Sequence, residues 1–300
     1  LQIIQERRLL AESGEISYDQ LVPLLTKLAS ESSYLVVSAA SQLINGLERF
    51  LDEDSFAEKR FKTLVQAVNQ QNYKRLGFEK RAEESDEDEM VRQLTLSNMT
   101  YADDDDVAEK SQQIFEANKD DIEGIPAAIR SFVLINELKR AESQELVSLY
   151  LDAYVKTNDG TFRRELAAAL SHTKQVQTLE RLIEALKDKD IVKPQDLSLW
   201  YAVLLRKPFA QETVWTWARE NWQWIKKTLG GDMSFDAFVV IPANIFKTQI
   251  RLDEYKAFFE PQLDDMALSR NISMGIKEIG AKIQLINRNK AAVEAAIVEK

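Results

Sequence analysis

The sequence predicts an all-α protein, a curved solenoid or bowl of stacked antiparallel helix pairs, loosely of the HEAT kind. Three observations predict it. Only 9 Gly and 6 Pro occur in 300 residues, too few for an all-β chain, which needs a turn signal about every 8–12 residues. Apolar residues recur at helical spacing in most segments. Between those segments stand one or two Gly, Pro, Asn or Asp, the punctuation of short links, and short links set successive helices antiparallel. With 45% hydrophobic residues a sizeable core is within reach, and the chain is expected to form a single domain over 1–300.

In order, LQIIQERRLLAES reads as the end of a helix that breaks at Gly14. Ser17, with Gln20 three residues on, suggests a capping box. The helix it opens should run from Tyr18 to about Ser30, with Leu21, Leu24, Leu25 and Leu28 on one face. Tyr34–Leu51 follows, with Val37, Ala40, Leu43, Ile44 and Leu47 in register, then Phe56–Leu76, stopped by Gly77.

Two acidic runs come next, one in GFEKRAEESDEDE and one at Asp103–Asp106. Neither fits the spacing of a calcium-binding loop. Carboxylates in a first helical turn favour its positive end, so both runs are read as solvated helix starts. MVRQLTLSNMTYA and VAEKSQQIFEANK are the helical stretches beside them.

Further helices are expected in IPAAIRSFVLINELKRA, QELVSLYLDAYVKT, TFRRELAAALSHTK, VQTLERLIEALKD and DLSLWYAVLLRK. Val214–Trp224 holds four of the five Trp. Trp215, Ala218 and Trp222 share a face there, and Trp217 and Trp224 widen it, so one buried packing helix is expected, closed by Gly230-Gly231. FVVI, before Pro242, reads as a strand or a buried helical turn. FDAFVVIPANIFK and LDEYKAFFEPQL are short helices. From Met266 to Lys300 only Gly275 and Gly280 interrupt a long helix with Ile272, Ile276, Ile279, Ile283 and Ile286 in a stripe.

Composition excludes several functions. A net charge of -10 opposes phosphate binding, which needs a basic face. No apolar run approaches the about 18–20 residues of a membrane span and no signal peptide opens the chain, so a cytoplasmic location is expected. There is no Cys, and His172 is the one His. A thiolate, a Ser–His pair built around a choice of bases, and an H-E-x-x-H zinc site are therefore all poorly served or impossible. His172 lies in AAALSHTKQ at a helix end, where the dipole favours it as a cap. No phosphate-cradling glycine motif occurs. The chain is not expected to be a catalyst alone, and no cofactor is expected in it.

The stretches IPAAIRSFVL, ELVSLYLDAYVKTNDGTFRRELAAALSHTKQVQTLERLIEAL and QDLSLWYAVLLRKPFAQETVWTWARENW are similar to the C-terminal helical domain of M1-family zinc aminopeptidases. That family includes aminopeptidase N and the endoplasmic-reticulum aminopeptidases. ISYDQLVPLLTKLASESSYLVVSAA, LDEYKAFFE and INRNKAAVEAAI extend the resemblance along essentially the whole chain. Leu170-Ser171-His172 stands where members often carry small or Cys residues, and the Gly usual before the Trp-rich segment is missing.

The resemblance implies a parent enzyme that removes N-terminal residues from peptides. Its one zinc is held by HExxH and a distant Glu in an upstream domain, where a GxMEN-type segment grips the amino group. It implies that the C-terminal domain encloses the substrate chamber, supports the catalytic domain and meets peptides on its concave face. Arg130 and Arg270 are the candidates for contact with the peptide's carboxylate end. The competing expectation is a free-standing helical-repeat scaffold that binds a partner protein.

Overall fold

A serine at one end and a glycine at the other delimit the longest helix of the N-terminal half. Ser55 accepts the Glu58 N–H through its side chain, and Gly77, at φ 51°, ends the helix at Leu76. The structure, a computed structural model, describes residues 1–229 and 235–299. Among these, all regular secondary structure is helical. The chain divides into two compact units, one of residues 1–136 with 285–300 and the other of 137–284.

The first unit begins with α1 (Gln2–Ser13), which stops at Gly14 in the left-handed region. A 3-10 turn at Tyr18–Leu21 leads into α2 (Val22–Thr26), α3 (Tyr34–Glu48), α4 (Phe56–Leu76), α5 (Asp86–Tyr101), α6 (Asp105–Asn118) and the start of α7 (Ala127–Ala141). The helix expected to reach Ser30 is therefore short. The Thr26 hydroxyl donates to the Pro23 carbonyl at 2.8 Å, a side-chain bond that competes with continuing the helix. The capping box at Ser17 does not form either. Ser17 makes no capping bond; its hydroxyl turns to Asn289, near the chain's end.

Ser85 supplies a capping box within the first acidic run, with Asp88 as the reciprocal partner. Asp104 caps α6 in the second. Val37, Ala40, Leu43, Ile44 and Leu47 are buried as their spacing requires. The last four join Tyr18, Phe50, Phe61, Val65, Val293 and Ile297 in one core, to which the last turns of the final helix contribute, while Val37 packs with Leu76 and Val91 in a smaller one.

The second unit holds the end of α7, then α8 (Gln144–Lys156), α9 (Gly160–Leu170), α10 (Val176–Ala185), α11 (Leu197–Leu205), α12 (Pro208–Glu220), α13 (Trp222–Leu229), α14 (Ala237–Ile245), α15 (Gln249–Phe259) and most of α16 (Ser269–Val298). FVVI is helical, inside α14. The Trp-rich segment is two helices rather than one. Asn221 interrupts it, its side-chain amide donating to the Trp217 carbonyl at 2.8 Å while its backbone leaves helical geometry.

Trp215, Trp217 and Trp222 are still buried, and Trp224 is half-buried. Trp215 lies edge-on to Phe246 at 5.2 Å and Phe258 at 5.8 Å. Trp222 meets Phe235 at 5.1 Å and donates its indole N–H to Gln262 at 2.7 Å. The edge-to-face contacts of Trp215 add to the gain from burial itself. The expected stop at Gly230-Gly231 lies outside the described residues. α11 buries Leu197, Trp200, Tyr201, Leu204 and Leu205, which leaves it little wet face, as befits a helix packed against α9, α12 and α14.

Candidate functional site

Arg130 and Arg270 occupy opposite environments. Arg130, on the first turn of α7, is 4% exposed, and its guanidinium donates to the Glu123 carbonyl at 2.7 Å. Arg270 is exposed in the first turn of α16, with its donors toward water. One is thus an internal strut of the first unit, and the other is a surface residue of the second.

His172 follows α9 directly. Its backbone N–H donates to the Ala169 carbonyl at 3.0 Å, and its ring Nε2 lies 2.7 Å from Lys207 Nζ. A protonated lysine has no lone pair, so the imidazole nitrogen accepts in that contact.

The acidic runs start helices, but not every carboxylate is solvated. Glu84 turns inward to Arg92, with side chains 7% and 2% exposed respectively. Arg92 also donates to the Glu79 carbonyl at 3.2 Å. Asp88 pairs with Arg75, Lys80 with Glu89, and Lys62 with Asp103 at 2.8 Å. The Tyr73 hydroxyl donates to Asp106 at 2.5 Å, and burial with that carboxylate raises the phenol's pKa, keeping it protonated. The cations beside these carboxylates occupy them as salt-bridge partners. Among the described residues no three His, Asp or Glu side chains converge to hold a metal ion. With one His and no Cys, the residues present do not fit a catalytic zinc.

A feature absent from the sequence reading is a groove of about 460 Å³ between the end of α2 and α4, lined by Thr26, Lys27, Ser30, Gln70, Gln71 and Lys74 among others. Its polar groups come from the end of α2, the turn after it and α4, and no local motif joins them. Hydroxyls, amides and two ammonium groups stand there beside Ala29 and Ala67.

A family model for the ERAP1-like C-terminal domain matches residues 1–281. The chain belongs to the ERAP1-like C-terminal domain family. An aminopeptidase N of Lactococcus lactis subsp. lactis is 56% identical over 298 residues, 99% of this chain and 35% of that protein. The aminopeptidase N of Lactobacillus helveticus is 40% identical over 299 residues, all of this chain and 35% of its own length. A glutamyl aminopeptidase of Rattus norvegicus is 22% identical over 288 residues, 95% and 30% of the two chains. The chain thus spans about a third of the length of these curated relatives. Among the described residues no helix is long and apolar enough to cross a membrane.

Proposed function

We propose that this chain is the non-catalytic C-terminal domain of a cytoplasmic, zinc-dependent M1-family aminopeptidase of the aminopeptidase N type. In that role residues 1–300 act as one domain that encloses the substrate chamber and supports the catalytic domain. The observation that carries the reading is an identity of 56% sustained over 298 residues that make up 35% of an aminopeptidase N. The residue inventory agrees with a division of labour. Peptide hydrolysis by zinc needs a set of donors that the described residues do not assemble, so in this reading the metal and the N-terminal residue pocket belong to the remainder of the polypeptide.

The contribution of this domain is steric. Enclosure limits which peptides reach the zinc and excludes water around them. Arg270, exposed on α16, supplies a guanidinium for a peptide's carboxylate end; Arg130 serves the same end only through the segment that it braces.

The test removes residues 1–300 from the parent polypeptide and compares hydrolysis of an aminoacyl anilide with that of peptides of increasing length. The expected result is that anilide hydrolysis survives in a less stable enzyme while discrimination by peptide length disappears. Length discrimination that persists without this domain overturns the enclosing role. A parent sequence without HExxH and its downstream Glu overturns the aminopeptidase reading altogether.

A further inference from the structure

The first helix is apolar on more sides than the core covers. Along α1 only Ile4 and Ala11 are buried. Their spacing puts them about 20° apart round the helix, in one strip against the core. Ile3 and Leu10 form a second strip of the same spacing, about 100° round from the first, and they are 67% and 36% exposed. Leu9, 58% exposed, lies about 150° round from the buried strip. The neighbouring charges are engaged elsewhere. Arg7 reaches to Gln20 at 3.3 Å, and Glu6 accepts from Gln2 at 3.0 Å along the helix.

Exposed apolar side chains elsewhere are scattered, as on any protein surface. Among the described residues no other helix leaves more than two large ones exposed, and those of α16, Met274 and Val298, stand well apart. Three on the twelve residues of α1 are a concentration. A helix of about 12–15 residues is marginal in water without tertiary packing. One that is apolar round most of its circumference belongs between two bodies, and the core of the first unit is only one of them.

We propose that Ile3, Leu9 and Leu10 on α1 seat this domain on the portion of its own polypeptide that precedes residue 1. The inference rests on the reading of the chain as a C-terminal domain. The chain matches a C-terminal domain family and spans 35% of the Lactococcus aminopeptidase N, so in that reading most of the polypeptide lies before α1.

A covalently attached neighbour is held at an effective concentration of millimolar order, so a small apolar seat is enough to dock it. A second copy of the chain has no such advantage, and a net charge of -10 sets two copies against each other. The surface that meets α1 is accordingly apolar, with pockets for Ile3 and Leu10 and a polar rim beside Glu6.

The chain has no Cys, so Ile3→Cys, Leu9→Cys and Leu10→Cys each give it a single thiol. The experiment reads the rate of maleimide labelling at that position by peptide mass spectrometry, in residues 1–300 alone and in the complete parent polypeptide. Labelling should be slower in the parent by at least about tenfold, the factor that docking equivalent to one buried leucine supplies. As a second measurement, Ile3→Gln with Leu9→Gln removes apolar surface from exposed helix positions. It should leave the thermal midpoint of residues 1–300 nearly unchanged and lower that of the parent by several degrees. Equal labelling rates in the two contexts, or equal midpoint shifts, overturn the proposal. Protection that grows with protein concentration assigns the strip to a second copy and overturns it too. Neither readout involves peptide hydrolysis. A parent without HExxH that still protects α1 fails the aminopeptidase reading alone, and one with HExxH that leaves α1 freely labelled fails this inference alone.

Discussion

The carboxamide oxygen of Asn289 accepts the backbone N–H of Tyr18 at 3.0 Å, joining positions 271 residues apart. It also accepts the Ser17 hydroxyl at 3.2 Å, while its amide nitrogen donates to the Leu285 carbonyl at 2.9 Å. The last turns of α16 thereby do the work that a local capping box at Ser17 would have done. Asn289 is buried, so Asn289→Ala leaves a buried N–H without an acceptor, at an expected cost of about 1–3 kcal/mol. Urea denaturation should show a lower midpoint with an unchanged slope. An unchanged midpoint means that water replaces the side chain at no cost.

Two glycines of α16 should respond to alanine with opposite sign. A methyl at Gly275 comes within 2.9 Å of the Ala243 methyl and closer still to the Tyr255 hydroxyl. That hydroxyl is itself fixed, donating to the Val239 carbonyl at 3.1 Å. Gly275 therefore lets α16 lie close against Ala243 of α14 and Tyr255 of α15, and Gly275→Ala should destabilise by about 1–3 kcal/mol through overpacking. A methyl at Gly280 meets nothing within 4 Å. Gly280→Ala should stabilise by up to about 1 kcal/mol, the ordinary helix-propensity difference. Paired thermal melts decide it, and two shifts of the same sign contradict the packing argument.

These residues show where reading the sequence succeeds and where it stops. The bounds of α4 follow from Ser55 and Gly77, because a cap and a glycine stop are local chemistry. The stripe on α3 is buried because its spacing and its core face are the same fact. Asn221 defeats the same logic: helical periodicity runs straight through it, and the departure of its backbone from helical geometry, beside its side-chain bond to the Trp217 carbonyl, divides α12 from α13. Gly275 reads as a breaker in sequence and is a contact in the structure, a distinction set by Ala243 and Tyr255 on other helices. The inward turn of Glu84 was hidden in a run of exposed carboxylates, and the Lys27–Lys74 groove draws on helices that no motif connects. Tyr18 gave no sequence signal beyond starting a helix; its buried hydroxyl, without a hydrogen-bond partner among the described residues, is a property of packing.

The acidic link between α4 and α5 should weaken the first unit under acid. Hydrogen bonding from Arg92 holds the Glu84 carboxyl below its ordinary 4.5, and Arg75, then Ser85, draw Asp88 from 3.8 to about 2. Both groups titrate lower in the folded chain than in the unfolded one, so the unfolded chain takes up protons first as pH falls. Their stabilisation is complete above about pH 5 and is lost progressively from pH 4.5 down toward 2. Glu84→Gln should cost about 1.5–3 kcal/mol at pH 7, because Arg92 remains buried without its counter-charge. The difference between the parent protein and Glu84→Gln should shrink when the urea titration is repeated at pH 3. A difference that is the same at both pH values removes the ion pair as its cause.

Arg130 and Arg270 should separate into a structural and a kinetic phenotype. Arg130 is buried and donates to the Glu123 carbonyl at 2.7 Å, so Arg130→Ala should lower stability by about 1–3 kcal/mol. Arg270 is exposed, and Arg270→Ala should leave stability within about 0.5 kcal/mol of the parent. In the complete aminopeptidase, a guanidinium that meets a peptide's carboxylate end contributes to binding both before and during the reaction. Arg270→Ala should then raise KM for peptides with kcat unchanged. Anilide substrates lack that carboxylate and should be unaffected, and Arg270→Lys, which keeps the charge but not the fork, should restore part of the loss. Equal KM values for peptides and anilides across these variants remove Arg270 from the substrate path, and leave the groove beside Lys27 and Lys74 as the next surface to mutate.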